Sequence, residues 1–162
     1  MDLHRKRILK KLIYCLIYLL SLFPACAEPL QIITNKSILD FDVEIAKTEK
    51  ELEKGLMFRT SLDHRRGMLF IFPESHSPKI WMKNTLIYLD VLFISQKGVI
   101  QDITPSAKPL SFEIIQSKKH SPRVLELKGG TCRKLGIFPG HRVRHPAFKK
   151  ADFKATPQNN SK

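Results

Sequence analysis

The residues best suited to chemistry lie in one stretch, residues 79–95, which contains the only tryptophan of the chain, Trp81. Between two β-like apolar runs this stretch places Lys83 and Asn84 and, further on, Asp90. Polar side chains in such surroundings cost free energy to bury unless they are hydrogen-bonded. The stretch therefore predicts either a structural polar network or a binding site.

Asp90 precedes the apolar run 91–94, a pattern typical of an interior strand. Its carboxylate needs a cation or several backbone N–H donors, and Arg59 and Lys83 are the candidate cations. Two interpretations stay open. In one, the polar groups are structural and fix the register of the strand, since ion-pair networks also occur without a function. In the other they line a ligand pocket with the tryptophan as its apolar wall, and the pocket residues are Arg59, Trp81, Lys83, Asn84 and Asp90.

The remaining chemistry-bearing residues follow no functional spacing. His141 and His145 are four residues apart, but the prolines and the glycine around them disfavour the helix that would place both on one face. On a strand the same spacing separates them by about 13 Å. The sequence has neither a Gly-x-Ser-x-Gly turn nor a complete phosphate-binding loop. We therefore predict no metal site and no cofactor.

The first 27 residues have the features of a secretory signal. Basic residues precede an uncharged apolar run over 12–23, which is shorter than the roughly 20 residues of a spanning helix. Ala25 and Ala27 supply the small residues of a cleavage site. We predict export to the periplasm with cleavage after Ala27, and no transmembrane segment after cleavage. Lipidation of Cys26 and an uncleaved signal anchor are the alternatives.

Removal of the signal leaves one cysteine, Cys132, so the mature chain forms no internal disulfide. We predict that Cys132 is a small buried apolar side chain, since free cysteines are usually buried. No thiol chemistry is predicted.

The chain is strongly basic, with a formal net charge of +13. Five of its 28 Lys and Arg and one of its 15 Asp and Glu lie in residues 1–27, so the remainder still carries +9. Such a charge can attract phosphates non-specifically. Export argues against a nucleic-acid partner, and we predict a solvated basic face or a weak contact with an anionic envelope surface.

Short strands have to position these side chains. The clearest is 38–46, in which apolar and acidic residues alternate with the period of a half-buried strand. The same alternation places Trp81, Lys83 and Thr85 on one side of the central stretch. Further strands are predicted at 30–34, 68–72, 91–94, 99–104, 123–127 and 142–145, with a hairpin turn over 95–98 and a loop over 105–109.

Two short helices complete the pattern. Thr48 and Glu51 have the spacing of a capping box for a helix over 49–54, and Gly55 suits its C-terminus. One helical turn is predicted at 131–135. Many short strands with one or two short helices predict a mainly β (α+β) fold, a compact small β-barrel or a rolled sheet.

The length of the chain fits one domain, which we predict over residues 28–148. Residues 149–162 lack apolar spacing and are predicted to form a disordered basic and polar tail.

Several motifs resemble those of the Domain of Unknown Function 192 family, over roughly residues 38–148. The most specific is Trp81-Met82-Lys83-Asn84-Thr85. The others are Gly55-Leu56-Met57-Phe58-Arg59, Gly67-Met68-Leu69-Phe70-x-Phe72, Leu89-Asp90-x-x-Phe93-Ile94, Val124-Leu125-Glu126-Leu127-x-x-Gly130 and Leu135-Gly136-Ile137-x-Pro139-Gly140.

The resemblance implies a mainly β domain that is often exported or lipid-anchored, and it brings no established reaction, cofactor or catalytic residue. The chain departs from the family pattern at Ile80, Tyr88 and His141. The last of these replaces a carboxylate that the family often has, so no site is predicted at that turn.

Three functions fit these features. The first is a non-enzymatic envelope binding or accessory domain that recognises an unknown small or polymeric envelope component through the central stretch. Arg59 and Lys83 would contact anionic groups. Asn84 would orient the ligand and Trp81 would stack on it. The second is an envelope-acting, hydrolase-like enzyme with Asp90 as general acid or base. The third is a protein-interaction domain without a pocket.

Overall fold

A curled sheet of seven strands makes up most of the chain that the computed structural model describes, residues 27–148. The elements are β1 Glu28–Ile33, β2 Ile38–Ala46, α1 Glu49–Lys54, β3 Arg66–Ile71, β4 Leu89–Ile94, β5 Ile100–Ala107, β6 Arg123–Lys128, α2 Thr131–Leu135 and β7 Arg142–Arg144. The prediction of a mainly β fold with two short helices is confirmed. The predicted tail and residues 1–26 of the predicted signal lie outside the described residues.

The strands lie in the order β5-β4-β6-β3-β2-β1-β7 and form a curled half-barrel. All neighbouring strands are antiparallel except β2 and β3. A parallel pair needs a crossover, and the connection that contains α1 supplies it. The two ends of the sheet approach each other, because Val99 forms a bridge with Arg142 and Val143 N donates a 2.7 Å hydrogen bond to Gly98 O. The predicted rolled sheet is confirmed.

Each face of the sheet carries its own apolar cluster. Alternation along β4 sends Leu92 and Ile94 to one cluster and Val91 and Phe93 to the other. The second cluster is covered by the chain around α1 and by the segment that contains Met82. This segment is the central stretch of the sequence, so packing on the second cluster is what positions the candidate site.

The prediction for the central stretch is only partly right. Trp81 and Lys83 are exposed while Met82 is buried, as the alternation requires. Asn84 then adopts φ 56°, and Thr85 N donates a 3.0 Å bond to Met82 O. This left-handed turn ends the alternation, so Thr85 is buried instead of sharing the exposed side with the tryptophan.

A second correction concerns β5, which continues through Pro105 to Ala107, where a loop was predicted. The pairing with β4 shifts register between Thr104 and Ala107. Pro105 therefore lies at an irregularity of a terminal strand, where its missing N–H is tolerated.

The local signals for both helices are confirmed. Thr48 and Glu51 form the capping box of α1 with both reciprocal hydrogen bonds. Gly55 has φ 45°, a positive value that suits glycine. The second helix ends at Gly136 in the left-handed conformation.

Gly98→Ala is expected to lower the free energy of unfolding by about 1–3 kcal/mol. Gly98 has φ 78°, and a Cβ at this position would lie 2.5 Å from Val143 O, so the turn that closes the sheet would have to move. Urea unfolding measures the loss. Gly130→Ala is the matched control, since Gly130 has φ 83° and its Cβ would meet none of the described atoms within 4 Å. Equal losses in both variants would contradict a tight closing contact.

Candidate functional site

A cavity of about 580 Å³ lies over the second apolar cluster. It is an open cleft bordered by α1, by β3 and β6, and by residues 79–85 of the central stretch. Apolar and aromatic side chains form the larger part of its wall, and they include Leu52, Met57, Phe70, Phe72, Ile80 and Trp81. Its volume lies within the range of small-molecule sites.

The aromatic wall is ordered by ring stacking. The Phe70 and Phe72 rings are stacked with centroids 6.3 Å apart, and His76 stacks on Phe72 at 5.5 Å. Trp81 lies on the wall with 44% of its surface exposed, and Lys83 Nζ lies 5.4 Å from the centre of its ring. The distance is that of a cation–π contact. A planar ligand could contact the aromatic surface of Phe72 and that of Trp81.

A single buried carboxyl group, Glu126, faces this cavity from the sheet. It lies on β6 between Met68 of β3 and Val91 of β4, on the face of the second cluster. Within residues 27–148, the Glu126 side chain makes no hydrogen bond and no ion pair. Burial raises the pKa of Glu126 to about 8.

This environment determines what Glu126 can do. Near pH 7 the carboxyl group is mostly protonated, so it can donate a hydrogen bond to a ligand as well as accept one. Ionisable groups whose pKa is strongly shifted by burial and that face a cleft are concentrated at functional sites. Thr85 is a second buried polar residue of the lining. Glu126 and Thr85 are the buried polar residues of the lining.

The mouth of the cavity carries charges of both signs. The basic residues are Lys47, Lys54 and Lys79, and the acidic ones are Glu49 and Glu53 of α1. All five lie at the solvent side of the site. The mouth by itself therefore favours neither an anionic nor a cationic ligand.

Asp90 is completely buried, and backbone groups satisfy it. Its carboxylate accepts hydrogen bonds from Ser106 N at 2.8 Å, from Gly130 N at 2.9 Å and from Cys132 N at 2.7 Å. In the described part of the chain neither Arg59 nor Lys83 pairs with it. Of the two ways to stabilise this carboxylate, the structure uses backbone N–H groups, which tie the start of α2 and the end of β5 to β4.

Cys132 is buried beside Asp90. Burial and the neighbouring carboxylate raise the pKa of the thiol far above its usual range. The thiol stays protonated at physiological pH and is inert as a nucleophile.

Arg59 pairs with a different carboxylate. Its two terminal nitrogens contact the two carboxylate oxygens of Glu44 at 2.6 Å each, and this hydrogen bonding raises the pKa of Arg59. The bidentate pair fixes the loop after α1 to β2. Asn84 O accepts a 2.8 Å bond from Phe58 N, and Asn84 Nδ2 lies 3.8 Å from Met57 Sδ.

The structure thus brings together only some of the predicted site residues. Trp81 lines the cavity, with Lys83 over its ring and Asn84 in the adjoining turn. The other four predicted site residues, Arg59, Lys83, Asn84 and Asp90, are not among the lining residues. A direct role of each of the five in ligand binding stays a prediction.

The residue that sequence reasoning missed as a site candidate is Glu126. A signal for it exists in the predicted strand 123–127, where the acid interrupts a run of Val and Leu. Alternation alone would place Glu126 on the same face as Val124, which is fully buried. An acid on a buried face is the signal that the pattern contained.

None of the helices within residues 27–148 has the length and apolar character needed to cross a membrane. These residues also contain no group of three or more His, Cys, Asp or Glu side chains arranged to hold a metal ion.

A family model matches this chain over a longer range than the individual motifs cover. The model of the DUF192 family, described as Uncharacterized ACR, matches residues 31–145, which include every strand from β2 to β7. The chain belongs to the DUF192 family. The cavity and Glu126 therefore lie within a DUF192 domain.

Two solved structures resemble this DUF192 protein. A protein of Sinorhizobium meliloti, provisionally assigned as a transcription regulator, is 39% identical with a TM-score of 0.73, over 75% of this chain and 95% of that one. A protein of unknown function from Novosphingobium aromaticivorans is 33% identical with a TM-score of 0.71, over 74% of this chain and 85% of that one. No curated protein matches the chain by sequence.

Proposed function

We propose that this DUF192 protein is an exported, periplasmic binding domain that holds a small envelope component in the cavity beside Trp81. The observation that carries the proposal is the buried Glu126 carboxyl group, which faces the cavity and has no partner among the described residues. A ligand that enters the cavity can hydrogen-bond to this carboxyl group in surroundings of low dielectric constant, where such a bond is stronger than in water.

The lining indicates the chemistry of the ligand. Aromatic and aliphatic walls suit a largely apolar or planar body, with Phe72 and Trp81 as the main surfaces. The inner end of the ligand would carry one polar group for Glu126 and Thr85. A carbonyl or hydroxyl would bond to the neutral acid, whereas an amine would ionise it and form an ion pair.

Thermal unfolding of the protein against a panel of envelope sugars, peptides and lipids tests the proposal. A ligand at 100 times its Kd adds about 2.7 kcal/mol to stability, which raises the Tm by several degrees. Glu126→Leu removes the polar partner at similar volume and is expected to weaken binding about tenfold or more. Glu126→Gln keeps a neutral hydrogen-bond donor. This variant is therefore expected to bind a ligand with a carbonyl group as wild type does, and to lose the binding of a ligand with an amine.

Glu113→Gln is the control, because Glu113 is an exposed carboxylate that does not line the cavity. The binding proposal fails if no compound of the panel shifts the Tm, or if the ligand shifts the Tm of Glu126→Leu as much as it shifts the Tm of wild type. The first of these results would favour an interaction domain that uses no pocket.

One observation favours a second candidate function, an envelope-acting enzyme. A carboxyl group with a pKa of about 8 can exchange a proton near neutral pH, which suits general acid–base catalysis. Glu126 faces the cavity, whereas Asp90 is held behind it by three backbone donors. Incubation of each compound that shifts the Tm, followed by product analysis, tests this candidate. Turnover that Glu126→Gln abolishes would support it.

A further inference from the structure

Three backbone segments lie side by side next to the mouth of the cavity. Phe58 N donates a 2.8 Å bond to Asn84 O, and Leu110 N donates a 3.1 Å bond to Thr85 O. Met82 N also bonds to Ser111 O at 3.0 Å. We call the surface of these segments, residues 57–59, 79–88 and 108–119, the loop face.

Large apolar side chains stand out from the loop face. Phe112 is 71% exposed, Phe58 67% and Leu110 55%. Tyr88, Ile114 and Leu86 are also exposed. Isolated exposed apolar residues are ordinary, but a group on adjoining segments marks an interaction surface.

The backbone under these side chains is strained. Phe58 has φ 63° and Leu110 has φ 60°, in the left-handed region that bulky residues rarely adopt. Asn84, which bonds to Phe58, has φ 56°. A glycine would adopt these conformations at lower cost. Phe58 and Leu110 therefore combine a backbone conformation that is unfavourable for bulky residues with the exposure of a large apolar side chain, and neither feature stabilises the fold.

The charge of the loop face selects the kind of partner. Residues 79–88 and 108–119 contain a single acid, Glu113, and five lysines, which are Lys79, Lys83, Lys108, Lys118 and Lys119. Segments that carry exposed apolar side chains, several lysines, a tryptophan and a tyrosine match the boundary of an anionic bilayer.

We propose that the loop face docks on an anionic phospholipid membrane, with Phe58, Leu110 and Phe112 entering the boundary between headgroups and acyl chains. The apolar tips supply the buried area and the lysines are attracted to the lipid phosphates. This inference goes beyond ligand binding, because Phe58 and Phe112 do not line the cavity. Docking would also hold the cavity mouth beside the membrane surface.

The single tryptophan makes the proposal testable on the full chain. Trp81 belongs to the loop face, and residues 1–27 contain no tryptophan, so its fluorescence reports on this face and not on the N-terminal segment. Vesicles of phosphatidylcholine with phosphatidylglycerol, brominated on their acyl chains, are expected to lower the Trp81 emission about twofold relative to unbrominated vesicles. Phosphatidylcholine vesicles alone, or 1 M salt, are expected to lower it much less, because both remove the attraction of the lysines.

The double variant Phe58→Ser and Phe112→Ser is expected to lose the quenching while its Tm stays within a few degrees of wild type. Phe138→Ser is the matched control, since Phe138 is 59% exposed and lies outside the loop face; it is expected to be quenched like wild type. The proposal is overturned if Trp81 is not quenched by anionic vesicles, or if the double variant is quenched as strongly as Phe138→Ser. A concentration-dependent dimer that only the double variant disrupts, without quenching, would also overturn it and assign the face to a second copy.

Discussion

The Asp90→Ala variant is expected to lose about 3–5 kcal/mol of its free energy of unfolding, a large part of the roughly 5–15 kcal/mol typical of a domain. The reason is that the Asp90 carboxylate accepts three backbone hydrogen bonds, which the N–H groups of Ser106, Gly130 and Cys132 donate. Without the carboxylate these donors lose their partner, and Cys132 N is buried where water does not replace it. The ties between β4, the end of β5 and the start of α2 are lost together.

Urea unfolding at neutral pH measures this loss. Asp42→Ala is the matched control, because Asp42 is exposed on β2 and its removal is expected to change stability by less than about 0.5 kcal/mol. Asp90→Asn keeps the shape but turns one oxygen into an N–H group, so a loss intermediate between these two is expected. A loss in Asp90→Ala no larger than in Asp42→Ala would contradict the role assigned to the buried carboxylate.

Glu126 is expected to make the stability of the protein depend on pH between about 4.5 and 8. Burial raises its pKa in the folded state from 4.5 to about 8. Over this interval the folded chain therefore binds more protons at this group than the unfolded chain does. The contribution of Glu126 is greatest below pH 4.5 and falls by up to about 1.4 kcal/mol per pH unit as the pH rises. The total loss is on the order of several kcal/mol.

The comparison of wild type with Glu126→Gln isolates this contribution, since glutamine has the same shape and does not titrate. The difference in unfolding free energy, wild type minus variant, is expected to fall as the pH rises from about 4.5 to 8 and to be constant above and below. Urea unfolding at a series of pH values measures it. Glu113→Gln is the control, because it removes one negative charge at an exposed position and so measures the effect of the charge change by itself. A difference that does not change with pH would show that the carboxyl group is hydrated in the folded protein.

Local patterns in the sequence were sufficient to predict most elements of the fold. The capping box of Thr48 and Glu51 predicted α1, and alternation predicted β2 with both of its ends. These signals depend on residues a few positions apart, whose relative placement is set by the helical or strand period. Where a turn interrupted the period, at Asn84, the prediction of the side-chain direction failed at Thr85.

The sequence by itself determined that most of the strands form, to which face the residues of β2 belong, and that the Asp90 carboxylate needs partners. Only the tertiary structure decided which partners it found. The partner Cys132 is 42 residues from Asp90, and the cavity over Glu126 is formed by α1 and the turn at Thr85, both distant along the chain. Periodicity places a side chain on a face, but the strand order and the path of the loops decide what covers that face. For that reason the sequence located the polar stretch, whereas the cavity, its unpaired acid and the loop face beside it emerged only from the folded chain.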